Sequence, residues 1–197
     1  MNKEKEQELN RLNSEFSNKI KSPLLLTCKN IVPGTGKADA DIMIIGEAPG
    51  QKEDELGEPF VGAAGKFLDQ MLEAINLKRD DIYITNIVKC RPPDNRDPLP
   101  EEKEEFWPWL MAQIKLIEPK LIVTLGRHSL SSFVPKPIMS KVHGTILRKN
   151  IPALGKIRIY ALYHPAAALY HGGMREILIK DFKKIPKIIK LIDQGEI

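Results

Sequence analysis

The sequence has few cysteines and no long hydrophobic run. Its 197 residues include two cysteines, Cys28 and Cys90, which cannot form the disulfide framework of a small secreted domain. No run of about 18 uninterrupted apolar residues is present, so we expect no transmembrane helix. The N-terminus, MNKEKEQELNRLNSEF, is charged and lacks the apolar core of a signal peptide. These absences predict a cytoplasmic protein with no membrane contact.

The charge is not extreme either. The formal net charge is +4, which is compatible with a polyanionic partner but does not establish one. With 42% hydrophobic residues the chain has the composition of an ordinary globular protein. Its length suits one folding unit with a complete sheet core. We therefore predict a single domain over residues 1–197, with an N-terminal helix over residues 1–20 packed on it.

Apolar runs alternate with helical patterns along the chain, which predicts an α/β fold. Four short runs have the length and β-branched content of strands, at residues 41–45, 82–88, 120–125 and 158–162. Amphipathic helical patterns cover residues 63–75, the segment that opens at Pro100, and a lysine-rich segment at the C-terminus.

The unusual residues follow directly after the predicted strands. GEAPG follows the first strand, residues 86–96 the second, Gly126-Arg127 the third, and YHPAA the fourth. The carboxyl ends of parallel strands form the ligand crevice of an α/β sheet. The layout therefore predicts one site assembled from all four strand ends.

Two glycine-containing segments do not fit the nucleotide-binding motifs. GEAPGQ lacks the third glycine of a dinucleotide fingerprint, and GAAGK at residues 62–66 lacks the spacing of a Walker phosphate loop. Nucleoside triphosphate hydrolysis is therefore excluded. By itself, GEAPG is equally compatible with a structural turn.

Single residues at the predicted crevice each have an ordinary structural interpretation. His164 would be a structural histidine, and Phe60 a core residue. Asn86 lies in an otherwise apolar strand, where its amide needs partners and could bind backbone at the end of the sheet. The C-terminal lysines form a solvated helix face or contact phosphate.

The joint order of the motifs is more specific than any one of them. GEAPGxxED, PFVGAAGKFLD, YITNIVKCRPPDNRDP, LIVTLGR and YHPAA, over residues 20–185, resemble the family 4 uracil-DNA glycosylases. The resemblance implies a three-layer α/β/α fold with a central four-stranded parallel sheet. It also implies a monofunctional enzyme that flips uracil out of DNA and hydrolyses its N-glycosidic bond, which initiates base excision repair.

The resemblance assigns roles to five residues around the base. One asparagine amide complements the O4 acceptor and N3–H donor of uracil, which is the role of Asn86. Phe60 would stack on the flipped ring, and His164 would donate to the developing charge on O2. Glu47, next to Gly46 in the first motif, would either position the attacking water or close the pocket near C5.

Further residues are candidates for contact with DNA. The segment LYHGGMR follows the histidine motif, where the family inserts an apolar wedge into the minor groove. Leu169 or Tyr170 would fill the gap left by uracil, and Arg175 would meet phosphate. Arg127, after the third strand, is a fourth candidate for DNA binding.

The sequence departs from the family at its metal cluster. The family usually carries four cysteines that hold a 4Fe–4S cluster, and only Cys90 keeps its place here. Lys19, Ser22 and Phe106 stand at the other three positions and cannot replace thiolates. We therefore predict that the chain has no cluster, no other cofactor and no metal site.

Other functions remain open at this stage. The main alternative is a non-catalytic module that binds damaged DNA on the same fold. Covalent capture of an abasic site is disfavoured because residues 51–58 are short and acidic, and a hydrolase of free nucleosides is a further alternative. We expect a monomer that acts on uracil-containing DNA, with a sliding clamp or other repair proteins as unproven partners.

Overall fold

A six-stranded sheet lies at the centre of the computed structural model, which describes residues 3–197. The strands in chain order are β1 (Thr35–Gly36), β2 (Ile42–Gly46), β3 (Tyr83–Asn86), β4 (Leu121–Leu125), β5 (Thr145–Ile151) and β6 (Gly155–Leu162). Their order in the sheet is β1-β3-β2-β4-β6-β5. The four inner strands are parallel, and β1 and β5 pair antiparallel at the two edges.

The α/β class and the four parallel strands are confirmed, whereas the two edge strands were not predicted. Strand β1 has only two residues, too few to produce a periodic pattern. Strand β5 reads TILRKNI and is half-exposed throughout, so it lacks the apolar run that marked the inner strands. It is held by pairing with β6 along its full length.

Helices cover both faces of the sheet. They are α1 (Lys3–Lys19), α2 (Gln51–Leu56), α3 (Ala63–Glu73), α4 (Pro100–Ile117), α5 (Arg127–Ser131), α6 (Met139–Val142), α7 (Ala167–Tyr170), α8 (Gly172–Phe182) and α9 (Ile185–Asp193). The predicted C-terminal helix is therefore divided into α8 and α9. No helix among residues 3–197 has the length and apolar character needed to cross a membrane.

Alternate residues of each inner strand point to opposite faces. On β2, Met43 and Ile45 join the apolar cluster that contains buried residues of α1 and α4. Ile42 and Ile44 join a second cluster with residues of α3, α8 and α9. This alternation is the two-residue period of a strand, and it produces the three layers that the family resemblance implied.

The N-terminal helix lies against α4 on the first of these faces. The ring of Phe16 stacks on Trp109 with a centroid separation of 5.6 Å. The side-chain oxygen of Asn13 accepts hydrogen bonds from Trp109 Nε1 at 3.0 Å and Gln113 Nε2 at 2.8 Å. Helix α1 is therefore attached by both apolar and polar contacts, while residues 1 and 2 of the predicted helix lie outside the described chain.

Candidate active site

A cavity of about 620 Å³ opens at the carboxyl ends of the parallel strands. The sequence predicted that the residues after all four strands would meet, and the structure brings residues from three of these strand ends together in the cavity wall, with Phe60 beside them. Glu47 follows β2, Asn86 ends β3, His164 follows β6, and Phe60 lies in the loop before α3. The ends of three parallel strands thus form this crevice, whereas Gly126 and Arg127, which follow the fourth, are not among the described residues that line it.

Gly46 brings Asn86 and Phe60 close together. Gly46 and Asn86 are directly paired on neighbouring strands. A Cβ atom at Gly46 would lie 2.4 Å from Asn86 Oδ1 and 2.6 Å from Phe60 Cζ, which is closer than atoms can approach. Only glycine therefore leaves room for both side chains at the floor of the cavity.

The amide of Asn86 is buried and its oxygen is free among the described residues. Asn86 is 2% exposed, and its Oδ1 has no hydrogen-bond partner in residues 3–197. A buried acceptor without a partner costs about 1–3 kcal/mol, so a fold rarely retains one without a use. A ligand that donates a hydrogen bond from within the cavity would satisfy this atom.

Arg79 holds the backbone of the loop that carries Phe60. Phe60 is 5% exposed and has a left-handed backbone conformation, with φ of 53°. Arg79 donates to the carbonyl of Phe60 and, at 3.0 Å, to that of Pro59. Its Nε also pairs with Asp69 at 2.6 Å. These bonds stabilise a conformation that costs a non-glycine residue about 1–3 kcal/mol.

Glu53 fixes the same loop on its other side. Its Oε1 accepts hydrogen bonds from the backbone N–H groups of Val61 at 2.9 Å and Gly62 at 2.8 Å. Gly62 is the N-cap residue that precedes α3, so the carboxylate also lies at the positive end of that helix. Glu53 thus positions the backbone beside Phe60.

His164 presents a neutral donor to the cavity. Its Nδ1 accepts the backbone N–H of Ala166 at 3.1 Å, so the proton of the neutral ring lies on Nε2. Burial lowers the pKa of His164 to about 4, although the charge of Glu53 opposes this shift. At neutral pH the ring is therefore uncharged and has an N–H group to donate.

Glu47 holds its proton more strongly than an ordinary carboxyl group. Burial, reinforced by the charge of Asp97, raises the pKa of Glu47 to about 7. Its Oε1 is buried and has no hydrogen bond among residues 3–197, although His128 Nδ1 lies 3.5 Å away. Near neutral pH, small changes in pH therefore alter the charge of this side chain.

Replacing Glu47 with glutamine should stabilise the protein at high pH. Between about pH 4.5 and 7 the folded state keeps a proton that the unfolded state has lost, so the free energy of unfolding falls as pH rises through this window. Glutamine stays neutral. We expect Glu47→Gln to raise the free energy of unfolding on the order of 1–3 kcal/mol at pH 8, and by much less at pH 5.

Urea denaturation of both proteins at pH 5 and pH 8 measures this difference. Glu58→Gln is the matched control, since Glu58 is exposed and its replacement should change stability by less than about 0.5 kcal/mol. Equal stability of the Glu47→Gln variant and the unmodified protein at pH 8 would contradict the expectation.

The predicted DNA-contact residues lie around the cavity in different settings. Tyr170 is 82% exposed and lines the opening, and Leu169 beside it is 45% exposed. Arg127 is exposed at the start of α5. Arg175, in α8, instead packs against α3, with its guanidinium 4.5 Å from the centre of the Phe67 ring and bonded to Gln70. Tyr170 and Leu169 thus form an apolar rim, whereas Arg175 already has partners within the protein.

Comparison with known proteins identifies the family of this chain. A family model described as the uracil DNA glycosylase superfamily matches residues 33–190, which include every side chain described above as lining the cavity. The chain belongs to the uracil-DNA glycosylase superfamily.

Individual members of the superfamily are similar over most of the chain. The type-4 uracil-DNA glycosylase of Archaeoglobus fulgidus is 46% identical over 174 residues, covering 85% of this chain and 86% of the relative. That of Saccharolobus solfataricus is 48% identical over 167 residues, covering 82% and 77%. That of Thermotoga maritima is 42% identical over 171 residues, covering 85% and 88%.

The residues present do not fit the 4Fe–4S cluster of family 4. At the positions of the missing cysteines, Lys19 is exposed and lies 3.4 Å from Glu15, and Ser22 caps a short 3₁₀ helix. Phe106 is fully buried and stacks against Trp109 at 6.4 Å between ring centres. An aromatic ring thus fills a position where a cluster needs a thiolate.

One other group of side chains has the composition of a metal site. Within residues 3–197, ligand atoms of Glu47, Asp97 and His128 lie within 4.8 Å of one another. However, the two carboxylates face different ring nitrogens, since Glu47 lies beside Nδ1 and Asp97 beside Nε2 of His128. One ion can take only one of these nitrogens. The geometry therefore favours an imidazole that bridges two carboxylates.

Sequence reasoning missed three residues of the superfamily site. Glu53 and Arg79 hold the Phe60 loop, and His128 lies beside Glu47. Glu53 belongs to the GEAPGxxED motif, so its position within a motif was an available signal. Arg79 and His128 lie outside these motifs, although His128 directly follows LGR. Only the folded chain brings the two residues to the site.

Proposed function

We propose that this chain is a uracil-DNA glycosylase that hydrolyses the N-glycosidic bond of deoxyuridine in DNA and so initiates base excision repair. The observation that carries the proposal is the buried amide of Asn86, whose oxygen has no partner among the described residues and which shares the cavity with Phe60 and His164. The type-4 uracil-DNA glycosylases, similar over more than three quarters of the chain, support the same substrate.

Asn86 selects the base. A flipped uracil offers an N3–H donor to Asn86 Oδ1 and an O4 acceptor to the amide NH₂. Cytosine has the opposite polarity at both positions, so it would leave two buried groups unpaired. Each such mismatch costs about 1–3 kcal/mol, which excludes cytosine without any direct steric clash. Glycine at position 46 leaves the space that this amide occupies.

Phe60 provides one face for the base. Its ring is 5.8 Å from that of His164, with an angle of 27° between the planes. A base placed between the two rings would need about 7 Å, twice the ~3.4 Å spacing of stacked bases. The uracil therefore lies on one face of Phe60 and reaches His164 by its edge, not by its face.

His164 stabilises the leaving group. As the C1′–N1 bond breaks, its electron pair moves to uracil and negative charge develops on O2. The Nε2–H of the neutral imidazole donates to this oxygen, and the Ala166 N–H holds the ring in the required tautomer. A neutral donor suits the step, because it remains available at every pH above its low pKa.

Glu47 directs the attacking water. In its ionised form the carboxylate accepts a proton from water while the water oxygen forms a bond to C1′ of the sugar. The products are the uracil anion, an abasic sugar and a proton on Glu47. Because the pKa of Glu47 is about 7, the ionised form becomes dominant only above neutral pH, and the reaction should be faster there.

The rim residues hold the emptied duplex open. Tyr170 and Leu169 project from the edge of the cavity, where an apolar side chain can enter the stack in place of the flipped base. Arg127 at the start of α5 supplies a nearby positive charge for a phosphate. Arg175 of α8 lies against the Phe67 ring and donates from Nη2 to Gln70 of α3, so a phosphate contact would use its other N–H groups.

Base release from an end-labelled strand tests the proposal. The strand carries one uracil, either single-stranded or opposite guanine or adenine, and alkali cleaves it at each abasic site. We expect cleavage at uracil and none at thymine or cytosine in the same position. Binding of uracil-containing DNA without release would instead support the non-catalytic module. Release of base from free deoxyuridine would support a nucleoside hydrolase.

We infer further that the chain acts as a monomer without a 4Fe–4S cluster. The inference rests on the single family-position cysteine, Cys90, and on the buried ring of Phe106 where a thiolate would be needed. Protein purified without oxygen should contain less than one iron atom in ten chains and lack absorbance near 400 nm. Four irons per chain would overturn the inference. Light scattering after gel filtration tests the monomer.

A further inference from the structure

An imidazole lies between two carboxylates at the edge of the cavity. His128, in the first turn of α5, has its Nε2 3.1 Å from Asp97 Oδ2 and its Nδ1 3.5 Å from Glu47 Oε1. The His128 side chain is 25% exposed and that of Glu47 22%, whereas Asp97 is 67% exposed. The chain of contacts thus runs from solvent at Asp97 to the buried oxygen of Glu47.

We propose that His128 is a positioning residue, which holds the Glu47 carboxylate in place and accepts the proton that Glu47 takes from the attacking water. The inference rests on the proposed function, because it concerns the water-activating group of that reaction. His128 lies outside the motifs that resemble family 4, one position beyond the LGR string.

The contacts of His128 set its tautomer. The shorter contact is to Asp97, an acceptor, so the ring carries its proton on Nε2 and turns the lone pair of Nδ1 toward Glu47. Arg127 Nη2 lies 3.3 Å from the same Nε2. Arg127 is exposed and at the longer distance, so Asp97 is the stronger partner of this nitrogen.

The charges around the pair allow the proton to be shared. Burial lowers the pKa of His128, Asp97 opposes the shift, and Lys103 of α4 and Arg127 of α5 reinforce it. Burial and Asp97 raise the pKa of Glu47, while the same two cations oppose the shift. These shifts place the pKa of Glu47 above that of His128, so His128 passes the proton on toward solvent and does not store it.

The proposed step conserves protons and electrons. Water loses a proton to Glu47 as its oxygen bonds to C1′, and the C1′–N1 electron pair leaves with uracil. The proton then moves from Glu47 to His128 Nδ1, which gives an imidazolium beside ionised Asp97. The imidazolium then loses its Nε2 proton to solvent on the side of exposed Asp97, which leaves the neutral ring protonated on Nδ1, and a change of ring tautomer restores the starting state. No oxidant, reductant or metal ion takes part.

Single-turnover uracil release at saturating protein, measured from pH 5 to 9, tests the inference. For His128→Ala we expect the maximal rate to fall about tenfold, less than the 10²–10⁴-fold effect of a primary acid or base. The half-saturating protein concentration should not change. The pH at which the rate reaches half its maximum should fall by at least half a unit, because protonated Glu47 has lost the Nδ1 lone pair that accepts its proton in a hydrogen bond.

Two further variants separate positioning from folding. His128→Asn keeps a hydrogen-bonding group near the place of Nδ1 and should restore the rate to within about threefold of the unmodified protein. His143→Asn is the matched control, since His143 is also half-buried and lies 3.5 Å from a carboxylate, Asp181, outside the cavity. It should leave both the rate and the pH profile unchanged.

The outcomes are distinct. A pH–rate profile of His128→Ala that superimposes on that of the unmodified protein would overturn the inference and leave the proposed function intact. Loss of activity in EDTA, with recovery on addition of Mn²⁺, would also overturn it, because the three side chains would then be metal ligands. No uracil release by the unmodified protein would overturn the proposed function and this inference together.

Discussion

Replacing His164 with alanine is expected to lower the single-turnover rate of uracil release by about 10²–10³-fold, the usual effect of removing one donor to a developing oxyanion. The reason is that Nε2–H is stabilising mainly in the transition state, when charge has reached uracil O2. Binding of uracil-containing DNA should change by less than about threefold, since the ground-state carbonyl is a weaker acceptor than the anion. Quenched-flow release and fluorescence anisotropy measure the two quantities separately.

The pH dependence provides a second check on His164. With its pKa lowered to about 4 by burial, the imidazole is neutral throughout pH 5–9, so its titration should not appear in the profile. The rate of the unmodified protein should therefore rise with pH through about 7 and show no decrease from loss of an imidazolium. A rate that falls between pH 6 and 7 would contradict the neutral-donor role.

Two variants control for loss of structure at this position. His164→Gln retains an amide N–H near the place of Nε2 and should recover part of the lost rate. His143→Ala removes a histidine outside the cavity and should leave the rate unchanged. If His164→Ala released uracil within threefold of the unmodified rate, the O2 donor would have to be another group.

The four inner strands could be predicted from the sequence because they are buried on both faces. Residues such as Ile44 and Ile45 face different layers yet are both apolar, so the run is continuous and short. Strand β5 could not be recognised in this way. Its alternation of polar and apolar residues is interrupted by Arg148 and Lys149, and its place at the sheet edge depends on pairing with β6.

The cavity itself was also predictable, although the support around it was not. Strand ends converge in any parallel sheet, so Glu47, Asn86 and His164 could be grouped before their distances were known. The contacts of Arg79 and His128 depend instead on the paths of the loops that carry their partners, Phe60 and Glu47. Loop paths follow from packing with distant segments, which a local pattern does not contain.

At the corner around Phe106, the sequence showed which thiolates are missing but did not identify the partners of the aromatic ring. The absence of three thiolates was visible in the sequence, and so was the aromatic character of Phe106. The stacked series of Phe106, Trp109 and Phe16 was not, because it joins α4 to the N-terminal helix across about 90 residues of chain. Helix α1 and this aromatic stack now fill the corner.

Replacing Asn86 with alanine is expected to reduce kcat/KM for uracil release by at least about 10²-fold and by as much as 10⁴-fold, because two buried groups of the base, each costing about 1–3 kcal/mol when unpaired, lose their partner. Both hydrogen bonds to the base disappear, and N3–H and O4 are then buried without partners. Cytosine should not become a substrate, because alanine offers it no partner either. Release from matched strands with uracil or cytosine measures both effects.

Stability distinguishes loss of recognition from loss of folding in this variant. Asn86 Oδ1 is buried without a partner among residues 3–197, so its removal takes away an unfavourable desolvation. The free energy of unfolding of Asn86→Ala should therefore be unchanged or up to about 1 kcal/mol higher. The aspartate side chain of Asn86→Asp has the same shape as asparagine but cannot donate to O4 when it is ionised. At pH 8 this variant should be as inactive as Asn86→Ala. An active Asn86→Ala protein, or one that is inactive only because it unfolds, would show that the free amide is not kept for the base.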